Sequence, residues 1–445
     1  MSGTPTLRQM STTAQRREAR TVILSSYLGS TIEFYDFLLY ATAAAVAFPK
    51  VFFAGTDPWV GVVAAYATFA AGYLARPLGG VIFGHFGDRI GRKGMLIVSM
   101  TVMGLASAAI GLIPGMDLIG PWGAVALVVL RVLQGIAVGG EWGGAALMAL
   151  EHADPKRRGF AASFVNAGAP TGAVLGTVMM GLVSALPGPQ FLAWGWRVPF
   201  LLSFALLVVG LFVRVRVAES PIFAEAVTAE KTAEEARGGK RKVPLLEVLR
   251  RPKALVFIML AGAAGFGLQV VLPTFSVTYA VSKGAPQQGV LYAFAAASAI
   301  SIAFVLFGGR LSDRFGRRPV MVAGLILFVA YLFPMFSLLG SGNVWLVFLA
   351  FTLALVFHST LYGPLAAFVS EQFGTTSRYT GAALGYQLPT LLGAGFTPGI
   401  VASLYKDSGQ SIGAVVGFLA AMSLVSAVFI LLTRESKDND LAAVR

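Results

Sequence analysis

The sequence predicts an all-α integral membrane protein of twelve transmembrane helices in two pseudo-symmetric six-helix bundles. Three observations carry the prediction. The composition is 56% hydrophobic and 12% charged, with a mean hydropathy of +0.75. A soluble domain carries about 25% charged residues, so too little polar surface remains for a water-facing globule. Apolar runs of about 20 residues, the length that crosses a bilayer, recur along the whole chain. Finally, a charged signature, Gly-x-x-x-Asp-Arg-x-Gly-Arg-(Lys/Arg), occurs at Gly84–Lys93 and again at Gly309–Arg318. Asp88 and Asp313 are 225 residues apart in a chain of 445, so the polypeptide is read as two similar halves in tandem.

The twelve runs lie near 22–48, 58–86, 95–114, 121–150, 160–186, 196–217, 254–280, 287–309, 319–339, 343–370, 379–403 and 411–433. The first is too long for a cleaved signal peptide, contains Glu33 and Asp36, and lacks a small-residue cleavage site. Arg16 and Arg17 before it read as a solvated positive flank. The 52 glycines allow close approach of membrane helices. The absence of cysteine excludes disulfides and thiol-bound metals or clusters.

Orientation follows from the cations. Of 34 lysines and arginines, 28 fall in the N-terminal segment, the even-numbered loops, the central linker and the C-terminal segment. Only Lys50, Arg197, Lys283 and Lys406 flank the odd-numbered loops, and Arg76 and Arg131 lie inside spans. The positive-inside rule then places both termini in the cytoplasm. This distribution accounts for the net charge of +13 without a nucleic-acid partner. Residues 219–253 form a polar linker that opens with Glu219-Ser220-Pro221 and contains Lys240-Arg241-Lys242. It separates an N-terminal bundle (1–218) from a C-terminal bundle (254–445), and its basic run suits anionic lipid.

Each signature ends one span and precedes the next. A carboxylate there, Asp88 or Asp313, can pair with arginine and sit against a helix N-terminus, where the dipole favours an anion. With Arg89, Arg92, Arg314 and Arg317 it is expected to form a gate latch between bundles. Glu151 and Glu371, at the ends of spans 4 and 10, are candidate gate residues. The pattern resembles the loop motif of the major facilitator superfamily, and the resemblance covers essentially the whole chain. Pro319 stands where the first copy has Gly94.

An ionisable group at mid-bilayer costs about 2.5–3.5 kcal/mol on insertion scales, so such groups face a cavity and act there. Glu33 and Asp36 lie three residues apart in span 1, which puts them on one helix face. Arg76 lies in span 2, Arg131 and Glu141 in span 4, and His358 in span 10. Arginine stays charged and offers a bidentate fork to an anion. A buried carboxylate beside it can carry a proton. The set therefore points to proton coupling, with histidine as proton carrier or hydrogen-bond partner. Tyr40, Asn166, Gln269, Tyr279, Tyr386 and Gln387 are polar residues within spans that can line the pathway or glue helices together.

Arg131 is followed by glycines four and eight residues on, Gly135 and Gly139. This resembles the RxxxGxxxG motif of proton-driven facilitators, which implicates Arg131 in proton transfer. Gly168-Ala-Pro170-Thr-Gly172 is similar to an antiporter motif with proline out of place, and is read as a flexible, close-packed helix. Longer strings narrow the resemblance. They are Ile32 to Tyr40, Phe69 to Arg89, Gly139 to Ala146, Trp194 to Phe200 and Arg378 to Gln387. Together they resemble the metabolite:proton symporter family, bacterial importers of organic acids and zwitterionic osmolytes, and most closely its shikimate/proton branch. The resemblance implies proton-driven carboxylate uptake across the bacterial inner membrane, with Glu33, Asp36, Arg76 and Arg131 as cavity and coupling residues. It implies no cofactor beyond the coupling proton, no metal, and function as a monomer. A betaine or proline symporter, an exporter of hydrophobic cations and a transporter-like sensor remain as alternatives. The osmosensing members carry a long coiled coil that this chain lacks. Nothing in the sequence supports an enzyme: no phosphate loop or ATP-binding signature is present.

Overall fold

The computed structural model describes residues 12–56, 58–90, 92–151, 153–215, 252–373 and 378–438. The linker expected at 219–253 lies outside the described residues up to 251. Regular structure among the described residues is helical throughout. Lipid offers no water to a free N–H or C=O, and a helix satisfies both within one segment.

Among the described residues twelve long helices follow one another. The first six are α1 (Thr12–Val46), α2 (Pro58–Ile90), α3 (Arg92–Leu112), α4 (Trp122–Glu151), α5 (Arg158–Ser184) and α6 (Gly188–Val215). The second six are α7 (Pro252–Ser282), α8 (Gln287–Phe315), α9 (Arg317–Leu339), α10 (Val344–Glu371), α11 (Thr380–Asp407) and α12 (Ile412–Leu432). The ten from α3 to α12 are long and apolar enough to cross a membrane by length and composition. α1 and α2, of 35 and 33 residues, complete the set. α7 and α11 each pass through a wide π turn, Leu272–Ser276 and Leu391–Gly395. Such turns recur at functional sites because they break the helix register.

The packing shows the internal repeat. In the first half α1 lies on α5, α2 on α4, and α3 on α4 and α6. In the second half the same pairs recur six helices on: α7 on α11, α8 on α10, and α9 on α10 and α12. The halves meet through α5 on α8 and α2 on α11, with α4 touching α11 and α5 touching α10. Outward faces are apolar: Trp122 is 70% exposed, Phe333 62% and Trp345 80%. A monomer in water avoids so large an apolar surface. Trp122 and Trp345 begin α4 and α10, equivalent places at the end opposite the signatures, where interfacial tryptophans anchor a span.

Glycine sets the closest approaches. α4 rests on α2 at Gly139, where an added methyl would lie 2.7 Å from Gly80 N and 2.9 Å from Gly79 Cα. In α5, a methyl at Gly172 would lie 2.7 Å from the Thr31 carbonyl of α1. The span-5 string is thus a close-packing face. At the second signature Gly316 has φ 101°, left-handed backbone that a side chain resists, and it turns the chain from α8 into α9.

Gly139→Ala is expected to force α2 and α4 apart and to cost about 1–3 kcal/mol, the usual penalty of overpacking. Gly399→Ala, where nothing lies within 4 Å, is the neutral control. Thermal unfolding of the two purified variants in one detergent checks the difference.

Candidate functional site

Two buried arginines organise the first half. Phe37 of α1 lies against both: Arg76 Cζ sits 4.2 Å from its ring centroid and Arg131 Cζ 4.0 Å. Arg76 also lies 4.7 Å over Tyr73, and Arg131 lies 4.1 Å over Tyr40 and 4.9 Å over Phe69. Ring faces carry negative potential, and a desolvated cation gains about 2 kcal/mol from one. Arg131 Nη1 donates to Gln134 Oε1 at 3.1 Å, and Gln134 Nε2 donates to Ser107 Oγ at 2.6 Å. Tyr40 donates to Thr68 Oγ1 at 2.6 Å, which fixes the ring under Arg131. Nε and Nη2 of both Arg76 and Arg131 are buried without a hydrogen-bond partner among the described residues.

The carboxylates divide between two clusters. Asp36 accepts a hydrogen bond from Ser203 of α6, on the Arg131 side. Glu141 pairs with Arg214, also of α6. Glu33 stands in the field of Arg76, Glu141 and Arg214, and its Oε1 has no partner among the described residues. Glu33 and Asp36, three residues apart on one side of α1, thus reach different neighbours. Three residues fall about 60° short of a full helical turn, and that offset sends the two side chains to different neighbours.

Arg214 corrects the sequence reading, which counted it with the linker cations. It stands near the end of α6, but its side chain runs back inward to Glu141 and is buried. Ser107, Gln134 and Ser203 were missed as well. Small hydroxyl and amide groups are common helix glue in membranes, so their sequence signal was weak.

Across the midline the second half presents a chain of rings. His358 Nε2 is 2.8 Å from the Gly265 carbonyl, and its ring stacks on Tyr362 at 5.2 Å. The Tyr362 and Tyr386 hydroxyls are 3.5 Å apart. Tyr386 stacks on Trp142 of α4 at 3.7 Å, joining the halves beside Glu141. Asn166 Nδ2 of α5 donates to the Tyr362 carbonyl at 2.6 Å, and Gln387 Nε2 donates to the Gly139 carbonyl at 3.3 Å. Gln269, Ser298 and His358 line a cavity of about 30 Å³ between α1, α5, α7, α8 and α10. That volume admits one or two waters.

At the signature end Asp313 bridges the halves. It accepts from the backbone N–H of Gly159 and of Phe160, each at 2.8 Å, at the N-terminus of α5. Arg317 Nη1 donates to Asp313 at 2.7 Å, and Arg317 Nη2 lies 3.1 Å from Glu371 Oε1. Ser436 Oγ donates to Glu371 at 2.6 Å. Glu435 accepts from the backbone N–H of Arg317 and Arg318, each at 3.0 Å, and so caps α9. Arg314 does not enter this cluster. It is exposed and lies over Phe315 at 5.2 Å, because one residue past Asp313 is about 100° around the helix. The side chains of Asp88, Arg89, Arg92 and Glu151 lie outside the described residues.

The profile of the Major Facilitator Superfamily matches residues 23–306 and 284–444. The chain belongs to the Major Facilitator Superfamily. An inner membrane metabolite transport protein of Escherichia coli (strain K12) is 41% identical over 94% of this chain and 95% of that protein. The shikimate transporter of the same strain is 38% identical over 94% and 95%. Its proline/betaine transporter is 33% identical over 95% of this chain and 85% of that one. The solved structure of a proton:xylose symporter of the superfamily aligns with a TM-score of 0.79 at 17% identity, covering 96% of this chain and 98% of that one. The fold is thus the superfamily's twelve-helix fold, and its curated relatives are transporters and not enzymes.

Two expectations follow for this superfamily member. Glu141→Ala leaves Arg214 buried and unpaired and is expected to cost about 3–5 kcal/mol, whereas Glu141→Leu with Arg214→Met recovers most of it. Chemical denaturation of the three proteins decides. Burial alone would raise the Glu435 carboxyl, but backbone N–H donors from Arg317, Arg318, Lys437 and Ser436 outweigh it and hold it below 4.5, the ordinary value. The cap's stabilisation is full above 4.5 and is lost as the pH falls through the lowered value. The stability gap between wild type and Glu435→Gln is therefore expected to close on acidification, read by thermal melts across a pH series.

Proposed function

We propose that the protein is a proton-coupled symporter that brings a small organic anion, shikimate or another carboxylate, into a bacterial cell by alternating access. One observation carries the reading. Arg214 and Arg317 are paired with carboxylates, whereas Arg76 and Arg131 lie on aromatic faces with N–H groups to spare. A guanidinium fork held in that way suits the two oxygens of a substrate carboxylate, at about 1.5–3 kcal/mol for each charged hydrogen bond. The 38% identical shikimate transporter supports a carboxylate as the solute.

Glu33 and Asp36 supply the proton sites of this mechanism. A proton on Glu33 removes negative charge near Arg76 and raises its affinity for an anion. By linkage the bound anion raises the affinity for the proton by the same factor. Loaded with both, the buried site carries less net charge than with either alone, which favours the occluded state. The bundles 1–218 and 254–445 then rock about the site, and the Asp313 latch closes the cytoplasmic side. Both termini and the 219–253 linker lie in the cytoplasm, in line with the cation distribution. The single chain is the functional unit and uses no cofactor. Symport of a zwitterion is the second reading, favoured by the 33% identical proline/betaine transporter.

The test is uptake by purified protein in proteoliposomes, with shikimate, other carboxylates, betaine and proline offered with and without an inward proton gradient. Gradient-enhanced carboxylate uptake is expected, lost in Arg131→Ala. Glu33→Gln is expected to keep downhill exchange but to lose pH-dependent accumulation. A response confined to betaine or proline would overturn the anion reading.

A further inference from the structure

At the end opposite the signatures, α2, α7 and α11 enclose a cleft of about 260 Å³. Tyr66 comes from the first half, Phe275 and Tyr279 from α7, Lys283 from the position just after α7, Tyr405 from α11, and Gln410 from the turn that follows α11. None of the residues of the arginine site lines it. We propose that this cleft is a second binding site, which takes a small carboxylate with a flat or ring-shaped apolar body.

The lining has the make-up of a ligand site, mostly apolar and aromatic with a few placed polar groups. Tyr405 stands edge-on to both Phe275 and Tyr279, at 5.5 Å and 5.7 Å between centroids, so ring faces are presented at right angles to one another. Such a corner grips a flat apolar body by face and edge together. Among the described residues Lys283 is the charged residue of the lining, with Nζ 5.5 Å from the Tyr279 centroid, and no carboxylate lines the cleft with it. An anionic head is therefore favoured over a cationic one.

Backbone strain marks the same place. Gln410 has φ 64°, the one non-glycine residue with positive φ among those described, and its N–H donates to the Tyr405 carbonyl at 2.8 Å. A glycine would hold this turn without strain, yet the chain keeps an amide there, lining the cleft. Strain of this kind collects at ligand-binding positions. Tyr66 of α2 and Thr278 of α7 both line the cleft, so the site straddles the seam between the halves. That the bound carboxylate is the transported one rests on the proposed function; the cleft's ability to bind does not.

The test is equilibrium binding of radiolabelled benzoate to the full chain in lipid nanodiscs, with melting temperatures taken on the same samples. A saturable site is expected that Lys283→Gln weakens about fivefold, the reach of one exposed charge contact. Lys283→Arg retains it, and a Lys283-dependent site persists in Arg131→Ala, which removes only the arginine site. Gln410→Gly is expected to weaken this site without lowering the melting temperature, a split that a purely structural role would not produce. The cleft site is overturned by absence of saturable binding, by binding unchanged in Lys283→Gln, or by binding abolished in Arg131→Ala. Proton-driven uptake measured in parallel separates the two readings. Cleft binding without carboxylate uptake overturns the symport reading and sustains the cleft.

Discussion

Two guanidinium groups share one phenyl ring, and the first half of the molecule is built around that contact. Arg76 and Arg131 both approach the Phe37 ring, at 4.2 Å and 4.0 Å from its centroid. Two like charges so placed repel strongly in a low dielectric, and the ring they share offers each its negative potential in return. Every neighbour serves that arrangement. Gln134 and Ser107 hold Arg131 from one side, Tyr40 is pinned beneath it by Thr68, and Asp36 is fixed by Ser203. Gly135 and Gly139 let α4 lie flat on α2, which brings the two arginine-bearing helices close enough to share a ring.

The halves repeat one packing plan but spend it differently. The first half keeps its charges at mid-span. Among the described residues the second half has no Asp, Glu, Lys or Arg there but His358, Gln269, Tyr362, Tyr386, Gln387 and serines, and it concentrates its charges in the Asp313–Arg317–Glu371 cluster. This division fits a transporter in which one half handles charge and the other shapes a pocket. The contacts that cross the seam differ in strength accordingly. Asp313 makes two charge-assisted bonds to the α5 N-terminus, where the helix dipole adds to them. Elsewhere the seam is held by ring stacking and single amide bonds.

Much of this was legible in the sequence, for a physical reason. Lipid forces each span to be long, apolar and helical, so the spans announce themselves, and a charge within one stands out because it is costly. Arg76, Arg131, Glu33, Asp36 and Glu141 were visible on that ground. Arg214 was not, because a cation at the end of a span looks like any loop cation until its long side chain is seen to run inward. Phe37 and Tyr73 were hidden for the opposite reason: an aromatic ring in an apolar helix is unremarked until a guanidinium is found on its face. Glu435 looked like part of a polar tail, and only the chain's path shows that it caps a distant helix.

That cap carries a consequence for how the chain is made. The backbone N–H of Arg317 is satisfied by a carboxylate 118 positions later. Until α10, α11 and α12 have followed, water at the membrane surface must satisfy the first N–H groups of α9 in its place. Glu371 likewise waits for Ser436. The second half is thus fastened last, by residues that emerge only after every span has been threaded. An assembly order is written into the hydrogen bonds, with the latch completed only once the bundle behind it is whole.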